Sequence, residues 1–135
     1  MILVDTSAWV EYDRATGSSV DLRVAELIAG DAIAVTEPVV MEVLAGARDD
    51  GRSLDLRRLL YRSRLLKFDP VVDFEGAAHV YRRCRQAGVT PRGMVDCMIV
   101  SVALRTNSTL LAHDSDMTHI AVVLGIDVDP ATIRK

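Results

Sequence analysis

Ile2-Leu3-Val4-Asp5-Thr6-Ser7 is the stretch on which the fold turns. Three apolar residues, two of them β-branched, read as a short buried strand that delivers an acid at its carboxyl end. Thr6 and Ser7 then offer caps for a helix through Trp9, Val10 and Tyr12. The same alternation of short strand and helix continues along the chain.

After a polar, glycine-containing break over 16–19, Val20, Val24, Leu27 and Ile28 recur at helical spacing as far as Gly30. A second strand is expected over 32–35, and Glu37-Pro38 opens a third helix to about Ala47, proline suiting its first turn. Residues 49–52 read as a turn, Ser53 as the start of a helix through Leu60, and 65–68 as a strand. Long helices follow over about 72–87 and 94–105. A strand over 109–112, a polar turn over 113–116, a short helix over 117–124 and a further strand over 126–128 complete the reading. Short apolar strands alternating with helices predict an α/β fold, a three-layer α/β/α sandwich with a mostly parallel central sheet. Ligand sites in such sheets gather at the carboxyl ends of the strands. Asp5 and Asp114 both fall there.

The 135 residues, 50% hydrophobic and 26% charged, suit one domain spanning 1–135. No run approaches the ~20 apolar residues of a bilayer span, and no basic stretch precedes an apolar core at the start, so a cytoplasmic location is expected. The net charge of −3 argues against a basic footprint over the whole surface. Its weight is reduced by the concentration of acids that one metal site requires. Cys84 and Cys97, thirteen apart in segments that read as helices, have the spacing of neither a metal knuckle nor a disulfide framework and are taken as buried free thiols.

Helix geometry places the remaining acids. Val39, Val40, Val43, Leu44 and Ala47 span one face of the third helix, and Glu42 projects ~60° outside its border, beside the core. Asp96 falls in the first turn of a helix that is apolar nearly all round, at its open end. Asp114 and Asp116 are two apart, so in an extended segment they point to opposite sides. Asp114 is then the better ligand, with Asp116 free to cap the next helix. Each acid also has a structural explanation as a turn residue, a solvated charge or a cap. Yet gathering carboxylates within ~4 Å costs on the order of 4 kcal/mol per pair at an effective dielectric near 20. A hard divalent cation supplies the missing attraction.

Four ordered segments carry a family resemblance. Ile2-Leu-Val-Asp-Thr-Ser-Ala-Trp9 resembles the opening motif of PIN domains, and Pro38-Val-Val-Met-Glu-Val-Leu-Ala-Gly46 the second. Val95-Asp-Cys-Met-Ile-Val-Ser-Val-Ala103 is similar to the third and Leu110-Leu-Ala-His-Asp-Ser-Asp-Met117 to the fourth. The match spans nearly the whole chain, whose length suits the VapC toxins. Ala112 stands where members commonly carry Thr, and Met117 where Phe is common. The resemblance implies an endoribonuclease dependent on Mg²⁺, or Mn²⁺ in its place, acting as the toxin of a type II toxin–antitoxin system. It also implies RNA as substrate, a homodimer, and a VapB-type antitoxin as partner in a heterotetramer or larger assembly. Carried onto this chain, the catalytic set is Asp5, Glu42, Asp96, Asp114 and Asp116. Asp5 and Asp96 are the expected direct metal ligands, with Asp114 a third. Glu42 and Asp114 are suited to holding metal waters or taking a proton from the attacking one.

Among the histidines only His113, adjoining Asp114, stands close enough in sequence to reach a substrate phosphate. Arginines cluster at 57, 58, 62 and 64 and again at 82, 83 and 85, where they are suited to RNA phosphates or to a solvated helix face. Scattered aromatics offer no stacking platform. A phosphoryl-transfer enzyme usually has a second Asp two after the first, where Ser7 stands, and a receiver domain a paired acid and late Lys that are not evident. A non-catalytic module on the same fold and an RNA-processing nuclease without a toxin role are the two remaining rivals. Met41, Leu44, Leu54, Leu56, Leu59 and Leu60 are either core or, in part, the lining of a groove for an amphipathic antitoxin segment.

Overall fold

The computed structural model describes residues 1–132. Four parallel strands form one sheet in the order β3-β2-β1-β4: β1 (Ile2–Val4), β2 (Ile33–Val35), β3 (Arg64–Leu65) and β4 (Thr109–Leu111). Steps from β1 to β2 to β3 move one way across the sheet, and the step from β3 to β4 returns past β1. Right-handed crossovers therefore put α1 (Thr6–Asp13), α2 (Ser19–Ala29), α3 (Glu37–Ala45) and α4 (Asp50–Leu60) on one face. They put α5 (Pro70–Gln86) and α6 (Met94–Thr106) on the other, where α7 (Ser115–Leu124) packs against both. This is the expected α/β/α sandwich, with a sheet that is parallel throughout.

The core lies where the pattern of apolar residues puts it. Leu3, Val4, Leu110 and Leu111 are fully buried, as are Ile99, Val100 and Val102 along α6, a helix apolar nearly all round because it is covered nearly all round. Leu56 and Leu60 belong to this core, with almost none of either side chain exposed. Leu44 and Leu59 pack against its edge, while Met41 and Leu54 stand half exposed. Cys84 and Cys97 are buried and unpaired, and burial pushes the Cys97 thiol up to about 11, which keeps it protonated and inert.

The boundaries differ from expectation where a cap decides them. α1 starts at Thr6 because Asp5 itself is the N-cap, accepting from the Ser7 amide at 3.2 Å. α4 absorbs the expected turn because Asp49 accepts from Arg52 N at 2.7 Å and starts the helix early. α7 is capped by Asp114, which accepts from Asp116 N at 3.0 Å; the cap expected at Asp116 lies two residues earlier. β3 begins one residue before the expected segment and ends well short of Phe68, and the strand expected over 126–128 is a single bridge from Val128 to Leu110.

Candidate metal centre

The strand order reverses between β1 and β4, and their carboxyl ends frame the crevice at which such sheets bind ligands. Asp5 leaves β1 there, and its backbone amide donates to Leu111 O on β4 at 2.8 Å. The Ser7 hydroxyl donates to Asp5 Oδ2 at 2.6 Å and accepts from the His113 amide at 2.8 Å. One hydroxyl thus ties the end of β1 to the turn after β4 and fixes one oxygen of Asp5. The other oxygen, Oδ1, is buried and makes no hydrogen bond.

The remaining acids arrive from helices. Glu42, half-buried on α3, accepts at Oε1 from Thr6 Oγ1 at 2.6 Å. Asp96 stands in the first turn of α6, behind an N-cap, Gly93, that has no side chain to satisfy the helix end. Asp5, Thr6, Ser7, Glu42, Asp96 and Asp114 line one cleft of about 500 Å³, together with Arg92 to Val95. Asp116 is not among the lining residues; it is joined to the cleft through Arg92, whose Nη2 donates to Asp114 Oδ2 at 2.7 Å and whose Nε pairs with Asp116. Of the five predicted acids, four share the cleft and the fifth stands at its rim.

Their electrostatics follow from crowding. Burial raises Asp5 to about 6, against the Ser7 hydrogen bonds that lower it, and Glu42 adds to the rise. Burial raises Asp96 to about 7, reinforced by the charges of Asp5, Asp114 and Glu42 and opposed by Arg92. Acids that resist ionisation, first because they are buried and then because they face one another, mark a candidate cation site.

The donor set fits a hard divalent cation, because it consists of carboxylate oxygens and includes a buried one with no other partner. Among the described residues no three Asp, Glu, His or Cys side chains converge closely enough to enclose an ion by themselves.

His113 does not face the cleft: its Nε2 lies 3.3 Å from Glu11 Oε1, its Nδ1 is buried without a partner, and only its backbone serves the site. His79 and His119 are exposed. Sequence reasoning missed Thr6 as the residue that holds Glu42, and Arg92 altogether. For Arg92 the available signal was an arginine four residues ahead of Asp96, in a Pro91-Arg92-Gly93 turn that leads into the helix.

Comparison with known proteins defines first the class and then the group within it. The profile described as PIN domain matches residues 2–123. VapC ribonuclease Mb1587 of Mycobacterium bovis and ribonuclease VapC11 of Mycobacterium tuberculosis are each 43% identical over 128 residues, 93% of this chain and 96% of theirs. The DNA-bound VapBC structure from Salmonella typhimurium shares the fold, with a TM-score of 0.74 at 16% identity over 95% of this chain and 96% of that one. The chain belongs to the PIN-domain family, and within it to the VapC ribonucleases.

Proposed function

We propose that this PIN-domain ribonuclease is an Mg²⁺-dependent endoribonuclease whose active centre is the cleft of Asp5, Glu42, Asp96 and Asp114, with Asp116 at its rim. The observation that carries the reading is the buried, unpartnered oxygen of Asp5 among carboxylates that repel one another. A divalent cation bound there supplies charge to the scissile phosphate and makes water a better nucleophile at neutral pH. Asp5 and Asp96 would hold it directly, with Asp114 as a third ligand. Ser7 orients Asp5, and Thr6 orients Glu42 so that its free oxygen takes the proton of the attacking water. Purified protein is expected to cut single-stranded RNA in Mg²⁺ or Mn²⁺ and to stop on addition of EDTA. Cleavage that persists in EDTA would sink the metal assignment.

The toxin role brings with it a partner of the VapB type. The Salmonella typhimurium neighbour is a VapBC complex, and Met41 and Leu54 are half-exposed apolar side chains, one on α3 next to Glu42 and one on α4, which packs against α3, that an amphipathic segment would cover. An arginine of that segment, matched to carboxylates by its planar donors, would take the cation's electrostatic place. Met41→Asp or Leu54→Asp should weaken binding of a cognate antitoxin while leaving RNA cleavage by the free chain unchanged. A homodimer in isolation and a heterotetramer or larger assembly with antitoxin complete the proposal, to be read by light scattering.

A further inference from the structure

Arg92 lines the acid cleft, and the proposed chemistry leaves it without a role. It stands on the loop between α5 and α6, next to Gly93 and four residues before Asp96. Its guanidinium spans Asp114 and Asp116, and the charges of both, with Asp96 behind them, hold its proton more firmly than usual. The side chain is nevertheless 68% exposed. An arginine so open to water is held weakly, because solvent takes up the guanidinium when the partners part, whereas Asp114, at 20% exposed, then needs another cation. The neighbouring Gly93 is open too, with nothing within 4 Å of the position a Cβ would occupy there.

We propose that Arg92 is a stand-in counter-ion, which leaves Asp114 when a divalent cation enters and then grips an RNA phosphate beside the scissile bond. The inference rests on the nuclease reading of the cleft. A cation held by Asp5, Asp96 and Asp114 competes with the guanidinium for one carboxylate and repels it at short range. The side chain is driven toward the mouth of the cleft, where substrate arrives. There its forked donors match two phosphate oxygens, as they matched two carboxylates in the ion-free chain. Arg92 thereby keeps the cleft from standing fully charged when metal is scarce, and makes phosphate binding follow metal binding. The competing role is that of a clamp that only fastens the loop over 87–93 to the first turn of α7.

The two roles separate on metal and RNA affinity together, because removing the guanidinium relieves its repulsion of the cation in either case, while only the loss of a phosphate grip weakens RNA binding. Mn²⁺ titrated calorimetrically into the full chain without RNA should bind a few-fold more tightly to Arg92→Gln than to wild type. In a Glu42→Gln background, which keeps the proposed ligands, fluorescent single-stranded RNA in Mn²⁺ should bind ~10-fold more weakly once Arg92→Gln is added. The slope of log affinity against log salt should fall by about one. Arg92→Lys should restore the slope but not the full affinity, since it returns the charge without the fork. Mn²⁺ affinity no higher in Arg92→Gln overturns the proposal, whether or not the melting temperature falls. So does RNA affinity that Arg92→Gln leaves unchanged. If wild type itself binds neither Mn²⁺ nor RNA, the nuclease reading has failed and takes the inference with it.

Discussion

A carboxylate that costs stability when ionised and returns it only through a cation leaves a signature in variants. Asp5→Asn and Asp96→Asn each remove charge from the repulsive cluster, and the amide oxygen introduced by Asp5→Asn can still accept from Ser7. Each should abolish RNA cleavage while making the metal-free chain more stable by ~1–3 kcal/mol, a tenfold change in proton affinity being worth about 1.4 kcal/mol. Near-normal cleavage by both variants at saturating Mg²⁺ would remove these residues from the centre. The same shifts set a pH dependence. Because Asp5 and Asp96 hold protons up to about 6 and about 7 in the folded chain but only to about 4 unfolded, the native state binds more protons in that window. Stability in EDTA therefore falls as pH rises from about 4 to about 7 and levels off above. Melting temperatures in EDTA should be higher at about pH 5 than at about pH 8, and Asp96→Asn should lose much of the difference. Asp73 acts in the opposite sense but in another range: burial works against its charge, yet hydrogen bonds from Arg105, the Asp69 amide and Ser101 hold it below the usual carboxylate range. Its contribution is lost only on acidification below about 4.

Between elements, that buried carboxylate is the fastening of α5 to α6. Asp73 Oδ1 accepts from Ser101 Oγ at 2.8 Å and Oδ2 from Arg105 Nη2 at 2.7 Å. Gly76, one turn along α5, lets the helices approach, since a Cβ there would lie 2.2 Å from Ser101 Oγ. Gly76→Ala should cost ~1–3 kcal/mol by overpacking. In Gly76→Ala/Ser101→Ala the loss should be smaller than the sum of the single losses, because the second change removes the clashing hydroxyl; additive losses by chemical denaturation would exclude this contact. Little of this was legible in the sequence. Nothing in the sequence marks Asp73 or Arg105 as partners, because periodicity locates faces and says nothing of which face meets which. The acids at strand ends and helix starts were legible, because Ile2–Val4 and Thr109–Leu111 announce buried strands and the residues after them must emerge at one edge. What was lost was local. Asp5, Asp49 and Asp114 cap their helices through single side-chain hydrogen bonds, which move a boundary by a residue or more without disturbing the apolar pattern. Asp114 therefore serves as a cap and lines the cleft at once, two roles that the sequence pattern divides between Asp114 and Asp116.

Across the whole molecule, the two arginine clusters are not equivalent. α4 ends just before β3 starts, so Arg57, Arg58, Arg62 and Arg64 lie toward the amino-terminal edge of the parallel sheet, away from the cleft. α5 ends where a short loop leads to Asp96, which puts Arg82, Arg83 and Arg85 toward the edge that carries the acids. Arg82→Gln/Arg85→Gln should weaken RNA binding and flatten its salt dependence, whereas Arg58→Gln/Arg62→Gln should change neither. Equal effects from the two pairs would mean that RNA wraps the molecule and does not enter along one edge. Expression of the chain alone should arrest bacterial growth and Asp96→Asn should relieve the arrest; harmless expression of protein active on RNA would favour a processing role. The position of β1 has a last consequence. It is an interior strand, flanked by β2 and by β4, and the hydroxyl of Ser7 that orients Asp5 meets its partner His113 across 106 residues of chain. A polypeptide still being synthesised carries Asp5 and Glu42 from early on but neither β4 nor Asp114. On the proposed assignment the centre is complete only once β4 and Asp114 have left the ribosome, so a chain cut short before residue 109 should neither cleave RNA nor arrest growth when expressed.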